Sequence, residues 1–379
     1  MIRALFITKH LRVGGAQRGW ALLLPDLEEL GVQPRVVTLE DRGEFFEQIA
    51  AAGVPASCAG MRGRLDLPSL LRAFHVKRWR PEVIVSHDER SHVAARSLAR
   101  GLAVPHVASD HGGPGFRLKP HRELILRASA RGFAATVTMS ERRVADLVRR
   151  GFPRERVHVI ANGVDGKTMR PARPRAALRA ELGLGEHDFV ALLPAVLRPE
   201  KRADRFVQAV SLAAKADVSI RGLVAGYGPE EGDIRRLART HGGAVKILGH
   251  RHDIVELIAA SDAICLTSEV EGAPFAALEA MALGKPVLAM RAGSIDEVVE
   301  EGKTGVLVRP GDVDGLADEL VSLSRDRPRA QALGAAGQLR QRCHFDAARM
   351  RAAHARLFGE LVAARRNRTA NVPAATSVR

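Results

Sequence analysis

Short apolar runs alternate with helical stretches along the first half of the chain. The stretch from Gly19 to Leu30 has apolar residues at helical spacing, and Gly31 ends it. Runs of four to six mainly apolar residues predict buried strands at Ala4–Thr8, Arg35–Leu39, Val83–Ser86, Val104–Ser109, Ala134–Met139 and Val157–Ile160. Strands that alternate with helices indicate a parallel, doubly wound sheet.

The second half of the chain repeats this pattern. Helices are predicted at Arg202–Ala214, Pro274–Leu283 and Val313–Leu323. Strands are predicted at Val190–Leu193, Ile220–Ala225, Lys246–Leu248, Ala263–Thr267, Pro286–Met290 and Gly305–Val308. At roughly 150 residues per domain, 379 residues suit two or three domains. We therefore predict an α/β protein of two Rossmann-like, doubly wound domains facing a cleft, with ligands at the carboxyl ends of the strands.

The domain boundary is predicted at Asn162–Asp165, which a Pro- and Arg-rich stretch follows. Residues 1–165 then form an N-terminal domain and residues 166–344 a C-terminal domain. Residues 345–366, with Ala and Arg throughout, are predicted to be helical. The polar tail, residues 367–379, lacks periodicity and is predicted to be disordered.

The most informative segment, residues 263–290, reads AICLTSEVEGAPFAALEAMALGKPVLAM. A buried strand leads into a loop, and Pro274 is predicted at the first position of the following helix. The side chains of Ala276 and Ala277 are small enough to let a ligand approach unpaired N–H groups. A helix N-terminus at the carboxyl end of a strand favours an anion such as phosphate. A plain strand–helix unit with two surface glutamates explains the helix terminus equally well.

Several motifs of the chain occur together in one known family. Glu271 and Glu279 stand in an E-x7-E spacing within SEVEGAPFAALEAMALGKPVLAMRAGSIDEVV. Upstream and downstream lie LRVGGAQR, IANGVD, LLPAVLRPEKRAD, VAGYGPEEGDIRRLA and EEGKTGVLVRPGDVDGLADEL. In this order the motifs resemble those of the retaining glycosyltransferases of the large group 1 family, carbohydrate-active family 4. The likeness covers about residues 1–360 and is strongest from 190 to 323.

The resemblance implies a fold and an activity. The fold is the two-domain glycosyltransferase-B fold, in which the helix of residues 345–366 crosses back to pack on the N-terminal, acceptor-side domain. The activity is that of a glycosyltransferase of class EC 2.4. Such an enzyme moves a hexosyl or other glycosyl group from a nucleoside diphosphate sugar to an acceptor hydroxyl with retention of configuration. Cell-envelope glycolipid or polysaccharide synthesis is the expected setting.

The resemblance also implies donor-side roles for C-terminal residues. Lys201 aligns with a lysine on the donor diphosphate, where a cation stabilises the charge of the leaving group. Glu279 aligns with a ribose-binding glutamate, and Glu271 with a glutamate near the donor sugar. The family's arginine before this lysine is replaced by Val196, and Arg198 is assigned as its substitute. Phosphate or sugar is expected against the backbone of Gly272, Phe275, Ala276 and Ala277, and the base near Leu248, His250 and Arg251.

Three N-terminal residues complete the predicted site. Gly14 and Gly15 are expected to face the diphosphate and the donor sugar; the family's glutamate after this motif is Gln17 here. A tight turn that requires positive φ accounts for the two glycines as well. His111 matches a family histidine at the sugar, where it orients a hydroxyl or stabilises charge. The alternative for His111 is a loop histidine with a purely local hydrogen bond.

Other chemistries are less well supported. Asp312 and Asp314 spell a DxD sequence, but their position before a helix indicates an N-cap and a first-turn acid instead of a metal site. Glu271 and Glu279 are disfavoured as a glycosidase pair, which needs both carboxylates flanking one bond. We predict no metal and no required cofactor, and a UDP-sugar or a GDP-sugar as donor substrate. A nucleotide-sugar epimerase or a phosphorylase on the same fold is the alternative enzyme.

The chain carries 58 Lys+Arg against 43 Asp+Glu, a net charge of +15. Residues 1–165 contain 26 and 17 of these, residues 166–344 contain 25 and 24, and residues 345–379 contain 7 and 2. The excess therefore lies outside the donor domain, which predicts a lipid-linked or otherwise anionic acceptor and peripheral contact with an anionic membrane. Compositional bias towards Arg explains the charge equally well. The expected membrane contacts are Arg72, Lys77, Arg78, Arg80, Arg117, Lys119, Arg122, Arg127 and Arg131, with Phe116 and Leu118 beside them.

The sequence also disfavours a nucleic-acid-binding protein and a membrane-spanning or secreted one. Nucleic-acid binding is disfavoured because the Arg residues are dispersed and aromatic residues make up only 4%. No apolar run approaches the length of a membrane-spanning helix, and the apolar stretch at the start of the chain is too short for a signal peptide.

Three cysteines without a CxxC motif suit a reducing compartment. The predicted location is the cytoplasm, at or near the inner membrane leaflet.

Overall fold

The structure is a computed structural model that describes residues 1–63, 66, 69, 75–115 and 120–370. The side chains of His121, Arg122 and Thr369 are excluded from that description. Several predictions therefore lie outside the described residues: the membrane contacts at Arg72, Phe116, Arg117, Leu118 and Lys119, the side chain of Arg122, and residues 371–379 of the tail.

The described residues divide into two compact units. The N-terminal unit comprises those within Met1–His111, Arg117–Ile160 and Ala348–Arg379. Its described sheet has seven parallel strands in the order β3-β2-β1-β4-β5-β6-β7. They are β1 (Ile2–Thr8), β2 (Val32–Thr38), β3 (Ala56–Cys58), β4 (Val83–Ser86), β5 (His106–Ser109), β6 (Ala135–Thr138) and β7 (Val157–Val159). The described helices in its first two segments are α1 (Gly15–Leu23), α2 (Glu44–Ala51), α3 (Glu89–Leu102), α4 (Pro120–Ala130) and α5 (Glu141–Arg149).

The C-terminal unit comprises Gly112–Phe116 and Ala161–Ala347. Its sheet has six parallel strands in the order β10-β9-β8-β11-β12-β13. They are β8 (Phe189–Pro194), β9 (Ile220–Ala225), β10 (Val245–Gly249), β11 (Ala263–Leu266), β12 (Val287–Met290) and β13 (Gly305–Val308). Its helices are α6 (Arg175–Glu181), α7 (Ala203–Ala216), α8 (Glu231–Thr240), α9 (Ile254–Ala260), α10 (Phe275–Ala282), α11 (Ile295–Val298), α12 (Val313–Arg325) and α13 (Arg327–His344).

The last helix, α14 (Ala347–Ala370), completes the core of the N-terminal unit. Its Leu357, Phe358 and Val362 are buried in one cluster with Phe6 and Trp20. The Phe358 ring meets the Phe6 ring edge-on, with centroids 6.1 Å apart. Burying an aromatic or aliphatic side chain of this size contributes about 1.5–3 kcal/mol, so α14 is a structural part of this unit.

Central strands of both sheets are buried along their whole length. β4, β5 and β6 in one unit and β11 and β12 in the other have no exposed residue. Strands that are covered by helices on both faces read as continuous apolar runs, and this is why the sequence pattern located them. The prediction of an α/β protein with two Rossmann-like, doubly wound sheets is confirmed.

The structure corrects the predictions at some element ends. α1 begins at Gly15, four residues before the predicted start, and a separate 3-10 turn covers Glu28–Leu30. α14 extends to Ala370, so residues 367–370, which were predicted to be disordered, are helical. The short edge strand Ala56–Cys58 was not predicted at all. With three residues and no fully buried position, it lacks the apolar pattern on which the other strands were recognised.

Candidate functional site

The sheet of the C-terminal unit reverses its strand order between β8 and β11. From this pair, β9 and β10 continue to one side and β12 and β13 to the other. In open parallel sheets, ligands bind at the carboxyl ends of the strands at such a reversal. The loops that follow β8 and β11 therefore define the candidate site, and they carry Lys201 and Glu271 respectively.

These two loops bring Lys201 and Glu271 into direct contact. Lys201 Nζ donates a hydrogen bond to Glu271 Oε1 at 2.7 Å. Ser268 Oγ donates to the same oxygen at 2.6 Å. Glu271 is only 8% exposed, so its carboxylate is held by an ammonium and a hydroxyl in a largely dry position. A predicted diphosphate lysine and a predicted sugar glutamate thus form one pair.

The backbones of the two loops are also joined. The hydroxyl of the fully buried Thr267 donates to the carbonyl oxygens of Lys201 and Arg202, at 3.1 and 2.9 Å. The Glu269 N–H donates to the Glu200 carbonyl at 2.8 Å. These hydrogen bonds hold the backbone around Lys201 in place and so determine where its side chain starts.

The backbone of Glu271 is enclosed by glycines. Ser294 N–H donates to the Glu271 carbonyl at 2.9 Å, and Gly293 before it has φ +58°. A Cβ on Gly293 would lie 1.9 Å from the Glu271 carbonyl oxygen, and one on Gly113 would lie 2.6 Å from it. Only glycine permits both contacts, so the two positions specify where the Glu271 backbone runs.

The helix α10 begins directly after this loop. Pro274 is its N-cap, not its first helical residue as predicted, and Phe275 is the first helical residue. The first turn contains no acidic side chain, and the first N–H groups of a helix generally lack an acceptor. The Ala277 N–H is an exception to the expected unpaired groups, because it donates to the Pro274 carbonyl at 3.1 Å. Asn162 Nδ2 donates to the Ala273 carbonyl at 2.8 Å and holds the chain at the helix start. This terminus is electrostatically suited to an anion.

The remaining predicted residues of α10 lie as follows. Phe275 and Ala277 are buried, Ala276 and Gly272 are half-buried, and Glu279 in the second turn is 4% exposed. Because Glu279 is buried, it does not fit the alternative of a plain strand–helix unit with two surface glutamates.

Two arginines lie close to Lys201 along the chain. Arg198 is exposed, and the structure gives it a backbone role: its carbonyl accepts from the Lys201 N–H at 2.9 Å. Arg202, which the sequence did not single out, stands in the left-handed region with φ +49°. Its guanidinium pairs with Asp204 and with Glu269 at 2.8 and 2.6 Å. Its place next to Lys201 in the motif LLPAVLRPEKRAD was the signal that could have marked it.

Of the predicted base-side residues, Leu248 lies within β10, and His250 and Arg251 follow it. Leu248 is half-buried and His250 is exposed, with the His250 ring 4.9 Å from that of Tyr227. Arg251 donates to both carboxylate oxygens of Asp253, at 2.8 and 2.6 Å. These hydrogen bonds to Asp253 raise the pKa of Arg251. The Arg251 guanidinium is therefore held by a protein carboxylate.

In the N-terminal unit, Gly14 and Gly15 belong to the start of α1. Gly14 is the N-cap with an extended φ of 175°, and Gly15 is the first helical residue. Neither lies in the left-handed region that favours glycine, so the alternative of a tight turn that requires such a φ is wrong. A Cβ on Gly15 would meet nothing within 4 Å, which leaves this backbone open to approach.

His111 lies in a histidine-rich part of the N-terminal unit. Its Nε2 is 2.8 Å from Ser109 Oγ, and its ring centroid is 4.8 Å from that of His87. Burial lowers the pKa of His111 well below its usual value, and His87 and His354 lower it further. Asp110 beside it is held by both Nε and Nη2 of the buried Arg143, at 2.8 and 3.0 Å. His111 is thus a neutral imidazole, suited to hydrogen bonding with a hydroxyl.

The described residues contain no group of three or more His, Cys, Asp or Glu side chains arranged to hold a metal ion. Asp312 accepts a hydrogen bond from Gly315 N–H at 2.8 Å and caps α12, as the sequence indicated. Across the part of the chain that the structure describes, no helix has both the length and the apolar character to cross a bilayer.

Comparison with known sequences identifies two matching families. Residues 174–340 match the family described as glycosyl transferases group 1, and residues 13–167 match glycosyltransferase family 4. N-acetyl-alpha-D-glucosaminyl L-malate synthase of Bacillus anthracis is 32% identical over 184 residues, 48% of each chain. A GDP-mannose-dependent monoacylated alpha-(1-6)-phosphatidylinositol monomannoside mannosyltransferase of Corynebacterium glutamicum is 34% identical over 201 residues, 50% of this chain and 51% of the relative. The match spans about half the length of these curated relatives.

Solved structures share the fold. Anabaena HepE in complex with UDP superposes with a TM-score of 0.83 at 21% identity, covering 95% of this chain and 100% of that one. Sucrose-phosphate synthase of Thermosynechococcus elongatus superposes with a TM-score of 0.81 at 20% identity, covering 96% and 100%. With both halves matched to glycosyltransferase families and the fold shared by glycosyltransferase-B structures, the chain belongs to the group 1 glycosyltransferases.

Proposed function

We propose that this chain is a retaining, metal-independent glycosyltransferase that moves a sugar from a nucleoside diphosphate sugar to an acceptor hydroxyl. The observation that carries the proposal is the contact between Lys201 and Glu271 beside the N-terminus of α10, at the strand reversal of the C-terminal sheet. A cation and free N–H groups suit a diphosphate, and a buried carboxylate suits sugar hydroxyls.

In the proposed reaction, the bond between the sugar's anomeric carbon and the phosphate oxygen breaks, and the oxygen keeps the electron pair. Lys201 and the α10 N-terminus stabilise the resulting negative charge. The acceptor oxygen bonds to the anomeric carbon on the face that the phosphate leaves. The acceptor's proton passes to a phosphate oxygen. Because the acceptor attacks from the face that the phosphate leaves, the configuration is retained. The reaction therefore requires neither an enzyme nucleophile nor a covalent intermediate.

The other predicted residues take supporting roles in this proposal. Glu279 binds the ribose, and Glu271 orients the donor sugar. His111, as a neutral imidazole, hydrogen-bonds a sugar hydroxyl instead of supplying positive charge. Gly14 and Gly15 face the donor in this proposal; the backbone is open at Gly15, whereas a Cβ on Gly14 would lie 2.5 Å from Gln17 Oε1. Arg198, whose side chain is exposed, remains the proposed second cation beside the diphosphate.

The donor is proposed to be a UDP-sugar. The Anabaena protein of similar fold was solved with UDP and with UDP-glucose. A GDP-sugar is the other candidate, because the Corynebacterium relative is GDP-mannose-dependent. Calorimetric titration with UDP and with GDP distinguishes the two.

Replacement of Lys201 tests the proposed function. Lys201→Ala removes the cation beside the leaving group, and we expect nucleotide release from the preferred donor to slow by roughly 100-fold or more. The control is Lys215→Ala, which removes an exposed lysine on α7 and leaves the rate unchanged. A Lys201→Ala enzyme with full activity contradicts the proposal.

We further propose a lipid-linked acceptor and peripheral contact with an anionic membrane. On α4, Leu124 is 69% exposed and Ile125 is 39% exposed, and the exposed Arg127 follows them. Lys77 and Arg78 are exposed on the same unit. Adjacent aliphatic and basic side chains are typical of a surface that enters a lipid headgroup region. The Corynebacterium relative, which is named for a phosphatidylinositol monomannoside substrate, supports an acceptor in cell-envelope synthesis at the cytoplasmic leaflet.

A further inference from the structure

Two side chains donate a hydrogen bond to the same carboxylate oxygen of the buried Glu271. Lys201 Nζ and Ser268 Oγ both bond to Oε1, at 2.7 and 2.6 Å. Ser268 is 3% exposed and immediately follows Thr267, whose hydroxyl holds the backbone of Lys201. Both donors therefore come from the two loops at the strand reversal, one from each.

The two donors are not equivalent. Lys201 has a long, flexible side chain with 29% of its surface exposed, so its ammonium has room to turn towards a bound diphosphate. Ser268 has a short side chain and is itself buried, so its hydroxyl has no comparable freedom. When Lys201 turns away, Ser268 is the donor that stays on Oε1.

The Glu271 backbone is already fixed by other contacts. Ser294 N–H bonds to its carbonyl, and Gly293 closes over the same oxygen. The remaining freedom of Glu271 lies in its side-chain torsions. A buried carboxylate is stable only when a hydrogen-bond donor accompanies it. The Ser268 hydroxyl, bonded to Oε1, supplies that donor and fixes the side-chain torsions of Glu271.

We propose that Ser268 is a positioning residue, which keeps the Glu271 carboxylate aimed at the donor sugar after Lys201 has moved to the diphosphate. This inference rests on the proposed function, since it assigns Ser268 a task only when a diphosphate engages Lys201. Ser268 acts through Glu271 and does not touch the substrate.

A double-mutant cycle tests whether Ser268 acts through Glu271. The measured quantity is the release of UDP from UDP-glucose and of GDP from GDP-mannose by the chain of 379 residues, with water taking the sugar. Ser268→Ala is expected to lower kcat roughly 10- to 100-fold with little change in KM, because the donor still binds but the carboxylate is misplaced. Ser268→Thr keeps the hydroxyl and is expected to restore most of kcat. In a Glu271→Ala background, Ser268→Ala is expected to have no further effect.

The matched control is Ser211→Ala. Ser211 is a buried serine whose hydroxyl donates to the Val207 carbonyl at 2.7 Å within α7. Its loss removes a comparable hydrogen bond away from the loops, so kcat is expected to stay unchanged. The proposal is overturned if Ser268→Ala leaves kcat intact, or if it slows the Glu271→Ala enzyme as strongly as the wild type.

A crystal structure with UDP gives a readout that does not need turnover. In the wild type, Lys201 is expected on the diphosphate and Ser268 Oγ still within hydrogen-bond distance of Glu271. In Ser268→Ala with UDP, the carboxylate is expected to adopt another rotamer. An unchanged Glu271 in that variant overturns the positioning role while leaving the proposed function intact. A wild-type chain that binds neither UDP nor GDP in calorimetry overturns the proposed function itself, and the role of Ser268 with it.

Discussion

Gly293 shows how a single residue determines the course of a loop that it does not belong to. A Cβ there would lie 1.9 Å from the Glu271 carbonyl oxygen, and its φ of +58° is one that residues with a side chain adopt only with strain. The Glu271 loop is therefore shaped by the turn after β12 as well as by its own sequence.

Gly293→Ala tests this dependence. An alanine at this position must adopt the left-handed backbone, and its Cβ also clashes with the Glu271 carbonyl oxygen. We expect the free energy of unfolding to fall by roughly 1–3 kcal/mol more than the left-handed backbone alone would cause. Gly302→Ala is the control, because Gly302 has φ +71° but nothing within 4 Å of the added Cβ. Differential scanning calorimetry of both variants measures the difference. Equal losses would show that the contact with Glu271 is unimportant.

At the residue scale, the sequence located those parts of the site that lie within one motif. Lys201, Glu271 and Glu279 were found because each stands in a local pattern. Ser268 and Gly293 were not found, because their importance arises from contacts that a one-dimensional pattern does not contain: a hydroxyl oriented by a loop in one case, and an approach between two loops in the other. The roles assigned to the site residues stay predictions.

At the element scale, β4, β5 and α3 are joined by a buried hydroxyl. Ser86 Oγ on β4 lies 2.7 Å from His92 Nδ1 and 2.6 Å from His106 Nε2. A hydroxyl has one proton to donate, so with both rings neutral one ring accepts from Ser86 and the other donates to it. Burial lowers the pKa of His106 to about 3 and that of His92 to about 4. Protonation of either ring upsets this arrangement.

The stability of the N-terminal unit is therefore expected to depend on pH. In the unfolded chain these histidines titrate near 6.5, so below that pH the unfolded state binds more protons than the folded one. The contribution is complete above pH 6.5 and is lost as the pH falls towards 4 and 3. His106→Gln removes one group, and we expect the slope of unfolding free energy against pH to fall by up to about 1.4 kcal/mol per pH unit.

Tryptophan fluorescence is a suitable probe, because both tryptophans, Trp20 and Trp79, belong to the N-terminal unit. Urea unfolding between pH 7 and pH 4.5 gives the slope. The control is His241→Gln, which replaces an exposed histidine on the C-terminal unit. An unchanged slope in His106→Gln contradicts the role of this buried cluster.

Most strands could be predicted because burial on both faces leaves an uninterrupted apolar run. Val83–Ser86, Ile220–Ala225 and Gly305–Val308 agree with the structure at both ends. The start of α1 was missed because Gly14 and Gly15, which favour loops by composition, act as N-cap and first helical residue. Glycine at an N-cap costs little, and the burial of Ala16 and Trp20 determines the helix.

At the scale of the whole molecule, the net positive charge and the exposed Leu124 and Ile125 on α4 together predict binding to an anionic membrane. We expect the chain to sediment with vesicles that contain phosphatidylglycerol and not with vesicles of phosphatidylcholine alone, with binding that weakens as salt is added. Leu124→Ser with Ile125→Ser is expected to weaken binding roughly tenfold, because apolar area no longer enters the lipid.

The control is Leu339→Ser, which removes a leucine that is 65% exposed on α13 of the C-terminal unit. It is expected to leave sedimentation unchanged. Negligible binding to both kinds of vesicle would instead attribute the charge to composition alone.

The contribution of α14 to the first unit has a consequence for biosynthesis. A ribosome adds Phe6 before residues 161–347 of the C-terminal unit, and Phe358 only after every residue of that unit. The C-terminal unit can therefore complete its core while the N-terminal sheet still lacks the side chains that cover Phe6. The half of the protein that is translated first is finished last, and during that interval its uncovered apolar surface is available to chaperones.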